Sequence, residues 1–213
     1  MAIVGFDPET VSSSINLVNK EYKRLIETIG NKMQVDFVNA MSDKWACNYA
    51  QTFFSEKFKP SSDIMIQSAN TIFESVINTM NEAARAWAAQ TDTVFVGQQF
   101  VPMVQKIDIS NIKENINGVR GIDTVEAKNI AAVLPVISEE AKNALTGAQQ
   151  AVQNSGFLGG NQEANLIDSL TTVKNRLSSL IEDITQNAKI YIEKTTDEYN
   201  ATEQKISKSF ESQ

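Results

Sequence analysis

The chain has 213 residues, one cysteine and no histidine, and its 19 basic and 26 acidic residues leave a net charge of −7. Without histidine there is no Ser-His-Asp or Cys-His nucleophile pair and no imidazole metal site; a single cysteine makes neither an intramolecular disulfide nor a CxxC redox pair. Lys and Arg are outnumbered and scattered, which argues against a phosphate-gripping nucleic-acid surface.

At 42% hydrophobic the chain has enough apolar surface for a core. Nine glycines and four prolines point to long helices rather than many turns. The start, Met1 to Pro8, has no basic or apolar leader region. No stretch reaches the roughly 18 apolar residues that span a bilayer. No cofactor is expected.

In chain order, Asp7-Pro8 is a helix start: Asp accepts from free amides, and Pro at the first position gives up an N–H that had no partner. Apolar residues then recur in steps of three and four at Val11, Ile15, Val18, Tyr22, Leu25, Ile29, Met33, Phe37, Ala40 and Met41. Gly30 is expected to weaken this helix locally. Ser42 to Tyr49 reads as the bend of an antiparallel hairpin. Ala50 to Lys59 begins the return, with a kink or break at Pro60. The returning stripe is Ile66, Ala69, Ile72, Phe73, Val76, Ile77, Met80, Ala83, Ala84 and Trp87.

Residues 93–120 form a connector too apolar for a free linker, with Val94-Phe95-Val96 and Phe100-Val101, and are expected to pack on the helices. Ile109 to Ile116 reads as a short helix.

The second half repeats the plan. Gly121-Ile122-Asp123 echoes Gly5-Phe6-Asp7, and Asp123 to Glu126 is a capping-box pattern. The stripe is Ile130, Val133, Leu134, Ile137, Ala141, Ala144, Leu145, Ala148 and Val152, with a kink expected at Pro135. Ser155 to Gly160 is a turn. The last helix carries Leu166, Leu170, Val173, Leu177, Leu180, Ile184, Ala188 and Tyr191, and runs without Pro or Gly to about Phe210, a length of about 60 Å. Gly5 to Trp45 is 40 positions and Gly121 to Phe157 is 36, the mark of a diverged tandem duplication. The expected fold is all-α: two antiparallel helical hairpins, residues 1–92 and 121–213, packed as an elongated four-helix bundle.

Two features go beyond packing. Trp45, at the first bend, can close the end of the apolar seam or stand out as a binding anchor; packing is the commoner role of Trp. In the tail, Tyr199, Glu203, Ile206 and Phe210 fall on one helical face, a surface suited to a partner's groove, and equally the pattern of any amphipathic helix end. Cys47 has no base to activate it and reads as a small buried side chain. The adjacent carboxylates Glu139-Glu140, Glu182-Asp183 and Asp197-Glu198 point about 100° apart on a helix, so they do not converge on one substrate.

A helical hairpin of about 90 residues with a Trp-x-Gly bend at its middle, and a tail of aromatic-x-x-x-acid-x-x-apolar-x-x-x-apolar, is the pattern of the WXG superfamily, small helical substrates of type VII secretion systems, and this chain resembles it. Residues 1 to about 92 resemble one unit, with Trp45-Ala46-Cys47 at the bend. Residues 121 to 213 resemble a second, with Phe157-Leu158-Gly159 in the place of Trp-x-Gly. Cys47 stands where the family has Gly, and Phe157 where it has Trp. Tyr199, Glu203, Ile206 and Phe210 match the family's C-terminal export pattern. Family members pair as separate hairpins, so this chain resembles a fused, pseudo-dimeric member.

The resemblance implies a non-enzymatic protein, secreted without a cleavable signal peptide or escorting a larger effector. It would present its tail to a secretion ATPase, with a second helical chain as a further partner. The alternative from the same residues is a structural or assembly protein of a phage or cell surface. An enzyme or lipid-binding bundle would need a convergent polar pocket, which these apolar stripes do not suggest.

Overall fold

The structure, a computed structural model, describes residues 4–159 and 161–211. The chain is mostly helical (76%), with two short antiparallel strand pairs among the described residues. Strand β1 (Gly5–Phe6) leads into α1 (Pro8–Ile26), which continues without interruption as a wider, π-wound stretch over Glu27–Asn39. Strand β2 (Trp45–Ala46) forms the bend. The return runs through α2 (Asn48–Thr52), a second π-wound stretch (Phe53–Phe58) and α3 (Lys59–Thr91). After the connector come β3 (Gly121–Ile122), α4 (Thr124–Ala131), α5 (Val133–Gln153), β4 (Phe157–Leu158) and α6 (Asn161–Glu211). Helix α6 has 51 residues, about 75 Å, longer than the expected 60 Å.

Helix starts follow the side-chain chemistry. Asp7 accepts from the amides of Glu9 (3.1 Å) and Thr10 (3.3 Å), and Asp123 from Glu126 (3.1 Å). The contacts run antiparallel throughout. Tyr22 meets Asn70 and Met33 meets Ser62 in the first hairpin; Gln149 meets Thr171 and Lys142 meets Glu182 in the second. Between hairpins, Ser14 donates to the Asn154 carbonyl, and Lys32 pairs with Glu140. The stripes face this interior: from Val11 to Met41 every stripe residue but Ala40 is buried.

The two hairpins hold each other reciprocally. Gly5 and Phe6 pair antiparallel with Leu158 and Phe157; Gly121 and Ile122 pair with Ala46 and Trp45. The capping aspartates repeat the exchange: the Asp7 amide donates to the Gly156 carbonyl (2.9 Å), and the Asp123 amide to the Lys44 carbonyl (2.7 Å). Thus the start of each hairpin is bonded to the bend of the other. Gly156 makes the contact possible. Its φ of +80° suits glycine, and a Cβ there would lie 2.7 Å from the Thr10 side chain.

Two sequence expectations change, and a third residue gains a second role. No break occurs at Pro60. The ring that would clash with a carbonyl one turn earlier follows directly on the widened Phe53–Phe58 turn, and the helix continues. Gly30, inside the stretch that departs from α winding, is also a crossing: it is buried, and a Cβ would meet the Gln105 side chain at 2.6 Å. Ile109 to Ile116 is not a helix; it bends and then closes a two-residue reverse turn, Ile116 to Val119, through Asn117 and Gly118 (φ +52° and +84°). At Pro135 the helix does divide, at Ala132, so the proline sits in the first turn of α5.

The π winding has a cause in the spacing. Leu25, Ile29, Met33, Phe37, Met41 and Trp45 are all buried and four apart, as are Ala50, Phe54, Phe58, Ser62 and Ile66. In an α-helix each four-residue step drifts about 40° around the axis, so the five helical residues Leu25 to Met41 would spiral off one face. A wider turn keeps them aligned. Phe37 then packs on Phe54 (5.7 Å between ring centroids) and Phe58 (4.9 Å).

The connector is strapped down by paired polar clamps. Asn81 satisfies both the N–H and C=O of Gln98 (2.9 and 2.8 Å). The Tyr22 hydroxyl accepts from the Met103 amide (2.6 Å) and donates to Asn70 Oδ1 (2.7 Å), while Asn70 Nδ2 donates to the Met103 carbonyl (3.1 Å). Asp63 and Lys59 hold Ile107, and Gln34 holds Asp108. Phe100, Ile107 and Ile112 are buried beneath.

Replacing Tyr22 with Phe strands the Met103 amide and should cost about 1–3 kcal/mol in denaturant unfolding, with early hydrogen exchange at Met103. Asp7 is held below the ordinary Asp pKa by the Thr10 hydroxyl first, then by the Thr10 and Glu9 amides. Its contribution to stability is present above the unfolded pKa and is lost as pH falls through the lower folded value. Asp7→Asn keeps a capping acceptor but removes the titration. It should leave the neutral-pH melting temperature nearly unchanged and shrink the drop seen on acidification.

Candidate functional site at the first bend and the end of the long helix

The first bend is built on an aromatic cluster. Trp45 is fully buried, with ring centroids 5.8 Å from Phe53, 6.2 Å from Phe54 and 6.1 Å from Tyr191 of α6. Phe53 and Tyr191 stack at 4.7 Å with 10° between ring planes, and Lys57 Nζ sits 5.3 Å over the Tyr191 ring. This cluster fixes the bend against the side of α6. Trp45 is therefore the packed seam end, not an exposed anchor. Its buried Nε1–H has no partner among the described residues.

Cys47 follows, buried at the start of α2. Tyr199 of α6 lies beside its thiol. Burial first, and then Cys47, raises the Tyr199 pKa above the ordinary tyrosine value; burial likewise raises that of Tyr191. Both hydroxyls therefore stay protonated at neutral pH and remain hydrogen-bond donors.

Beyond the cluster a groove of about 710 Å³ opens between the bend and α6. Its walls are Tyr49 on one side and Tyr191, Lys194, Glu198, Tyr199, Glu203 and Ile206 on the other. Tyr49 is 68% exposed, Tyr199 36% and Ile206 53%. Helix α6 then projects, with every described side chain from Ala201 to Ser209 exposed. A second groove, lined by Phe53, Lys57, Ile64, Ile184 and Ile190, adjoins it at Tyr191 and Lys194.

The sequence-derived residues divide accordingly. Trp45, Cys47, Tyr199, Glu203 and Ile206 come together at one end of the molecule. The Phe210 side chain lies outside the described residues. Phe157 and Gly159 stand at the other end: Phe157 is buried near Leu166, about 40 Å of helix from Tyr191, and Gly159 is exposed with φ +70°. Only one of the two bends adjoins the tail face. In the sequence Tyr49 marked only the end of the bend and Tyr191 only a packing position on the last helix. Tyr191 precedes Tyr199 by eight residues, about 2.2 turns, which sets the two on adjoining faces of one helix.

No helix of the described residues is long and apolar enough to cross a membrane. Among the described residues no group of three or more Cys, Asp or Glu could hold a metal ion. No protein-family model, curated protein or solved structure matches the chain.

Trp45→Ala empties the middle of the aromatic cluster and should cost about 3–5 kcal/mol in unfolding. Ser138→Ala removes a buried hydroxyl with no partner and should stabilise by about 1 kcal/mol. Chemical denaturation of both variants checks the pair of opposite signs.

Proposed function

We propose that the two hairpins act as a single elongated four-helix bundle of the WXG type. It would be secreted by a type VII-like system or escort a larger effector into it, without catalysing a reaction. The observation that carries this reading is the exposed α6 face of Tyr199, Glu203 and Ile206, set directly against the bend of Trp45 and Cys47. A rigid rod with an aromatic, acidic and apolar helical face at one end suits recognition by a groove in a secretion ATPase. Trp45 would serve by holding the bend in place, because it is buried. The reciprocal strand exchange supports a pseudo-dimeric, fused arrangement, since each hairpin completes the other.

A second reading, a structural or assembly component, draws on the connector. Val94, Val96, Val101 and Val104 are strongly exposed there, a set of apolar side chains suited to further contacts. Assembly would show as large homo-oligomers on a sizing column.

The export reading is tested in a strain carrying the apparatus. The Tyr199→Ala, Glu203→Ala double variant removes the aromatic and acidic groups of this face and should accumulate in the cells, folded as judged by its melting curve, while the parent chain reaches the medium. Export of the variant at the parent's level would overturn the tail's role.

A further inference from the structure

Asn117 is the only asparagine of the chain that is followed by glycine, and it stands in an exposed turn just before β3. We infer that this pair is a site of spontaneous covalent modification: Asn117 loses its side-chain amide to the Gly118 nitrogen, and Asn115 acts as the brake. The reaction takes water as its co-reactant and needs no other group.

The Gly118 nitrogen attacks Cγ of Asn117. An N–Cγ bond forms, the Cγ–Nδ2 bond breaks, and the amide proton of Gly118 leaves with Nδ2 as ammonia. Water then opens the five-membered imide. Opening at Cγ gives aspartate. Opening at the main-chain carbonyl gives isoaspartate, with the backbone running through Cβ.

A side chain on the following residue crowds the attacking nitrogen, and glycine has none. The space around it is open as well: both residues are exposed, and a Cβ on Gly118 would meet nothing within 4 Å. Asn154, by contrast, precedes Ser155, and its Nδ2 donates to the Gln150 carbonyl (2.9 Å).

The closed turn withholds the nucleophile. The Gly118 amide donates to Asn115 Oδ1 (3.1 Å), so attack must give up that bond. The legs of the turn are held by the amides and carbonyls that Ile116 and Val119 exchange (both 2.9 Å), and by Arg120 with Glu114 (2.5 Å). Asn117 and Gly118 take φ of +52° and +84°, the geometry of a two-residue hairpin turn. Modification therefore proceeds through local opening at a loop tip.

The product bears on the exchange between hairpins. Gly121, which pairs with Ala46, follows the turn closely. Isoaspartate adds a carbon to the main chain inside a turn built for two residues, so the legs lose register beside β3. Aspartate leaves the main-chain length unchanged and adds a charge. None of this rests on the export reading.

Ageing of the full chain at mildly alkaline pH tests the inference. Trypsin cuts after Lys113 and Arg120 and releases residues 114–120 as one peptide. Mass spectrometry should show this peptide converting to the acid form ahead of every other asparagine-containing peptide, with fragment ions placing the change at 117. Asn115→Ala should speed conversion in the folded chain several-fold and leave the rate in denaturant unchanged. Asn115→Asp keeps the acceptor and should stay as slow as the parent. Gly118→Ala should suppress conversion in denaturant as well as in the folded chain, so a disturbed turn does not imitate the result. The Asp123 amide, which donates to the Lys44 carbonyl, should gain a fast-exchanging fraction on ageing that matches the isoaspartyl fraction. Asn117 intact while another asparagine converts, a folded-state rate indifferent to Asn115→Ala, Asn115→Asp as fast as Asn115→Ala, or an Asp123 amide that exchanges alike in fresh and aged chain would each overturn the proposal.

Discussion

The rest of the structure depends on the exchange of backbone hydrogen bonds between the start of each hairpin and the bend of the other. Two residues of strand on each side would be worth little alone. Here each pair is backed by a capping aspartate whose amide reaches the carbonyl just before the facing strand, Gly156 in one case and Lys44 in the other. Because the exchange occurs at both ends, it fixes the axial register of the two hairpins. That register decides which residues of α6 lie beside the first bend, and therefore where Tyr191 and Tyr199 stand.

Between the clamps, packing is set by a mismatch of periods. The four-residue repeat from Leu25 to Met41, and its counterpart from Ala50 to Ile66, cannot stay on one face of an α-helix. The chain answers by widening its turns, which brings the phenylalanines of both strands of the first hairpin into one cluster. Such windings are uncommon and recur near functional sites. In this chain they lead into the bend that flanks the tail. The same widening absorbs Pro60, so a residue that would break an α-helix sits at the junction of two windings.

The connector belongs to the first hairpin energetically. Among the described residues its extended backbone pairs with no other strand, and side chains of α1 and α3 take the place of a ladder, one donor and one acceptor for each of Gln98 and Met103. That arrangement leaves one side of the strap buried and the other, with its valines, in solvent. At the far end of the same hairpin the aromatic cluster plays the corresponding part, tying the bend to α6. The bend is thus closed by its aromatic cluster, and Tyr49, Tyr199 and Ile206 stand exposed where α6 runs on past it.

The sequence by itself determined the helices, their order and most of the core, because helical periodicity and capping are local. The stripes named from spacing are largely the buried residues, and Asp7 and Asp123 begin helices as their side chains require. Ile181 and Ile192, both buried, were missed on α6, since a long helix wedged among others turns a broader face inward than one near-heptad seam. The turn at Asn117-Gly118 was legible in that dipeptide, and the helix expected just before it, over Ile109 to Ile116, rested on isoleucine spacing alone. Tertiary structure alone decided the winding at the first bend, the use of Gly30 as a crossing, the burial of Trp45, and which bend meets the tail. Each of these depends on groups far apart in the chain brought within a few ångströms. Tyr199 became part of a site only because a strand exchange more than 70 residues away in sequence set the register of the helix that carries it.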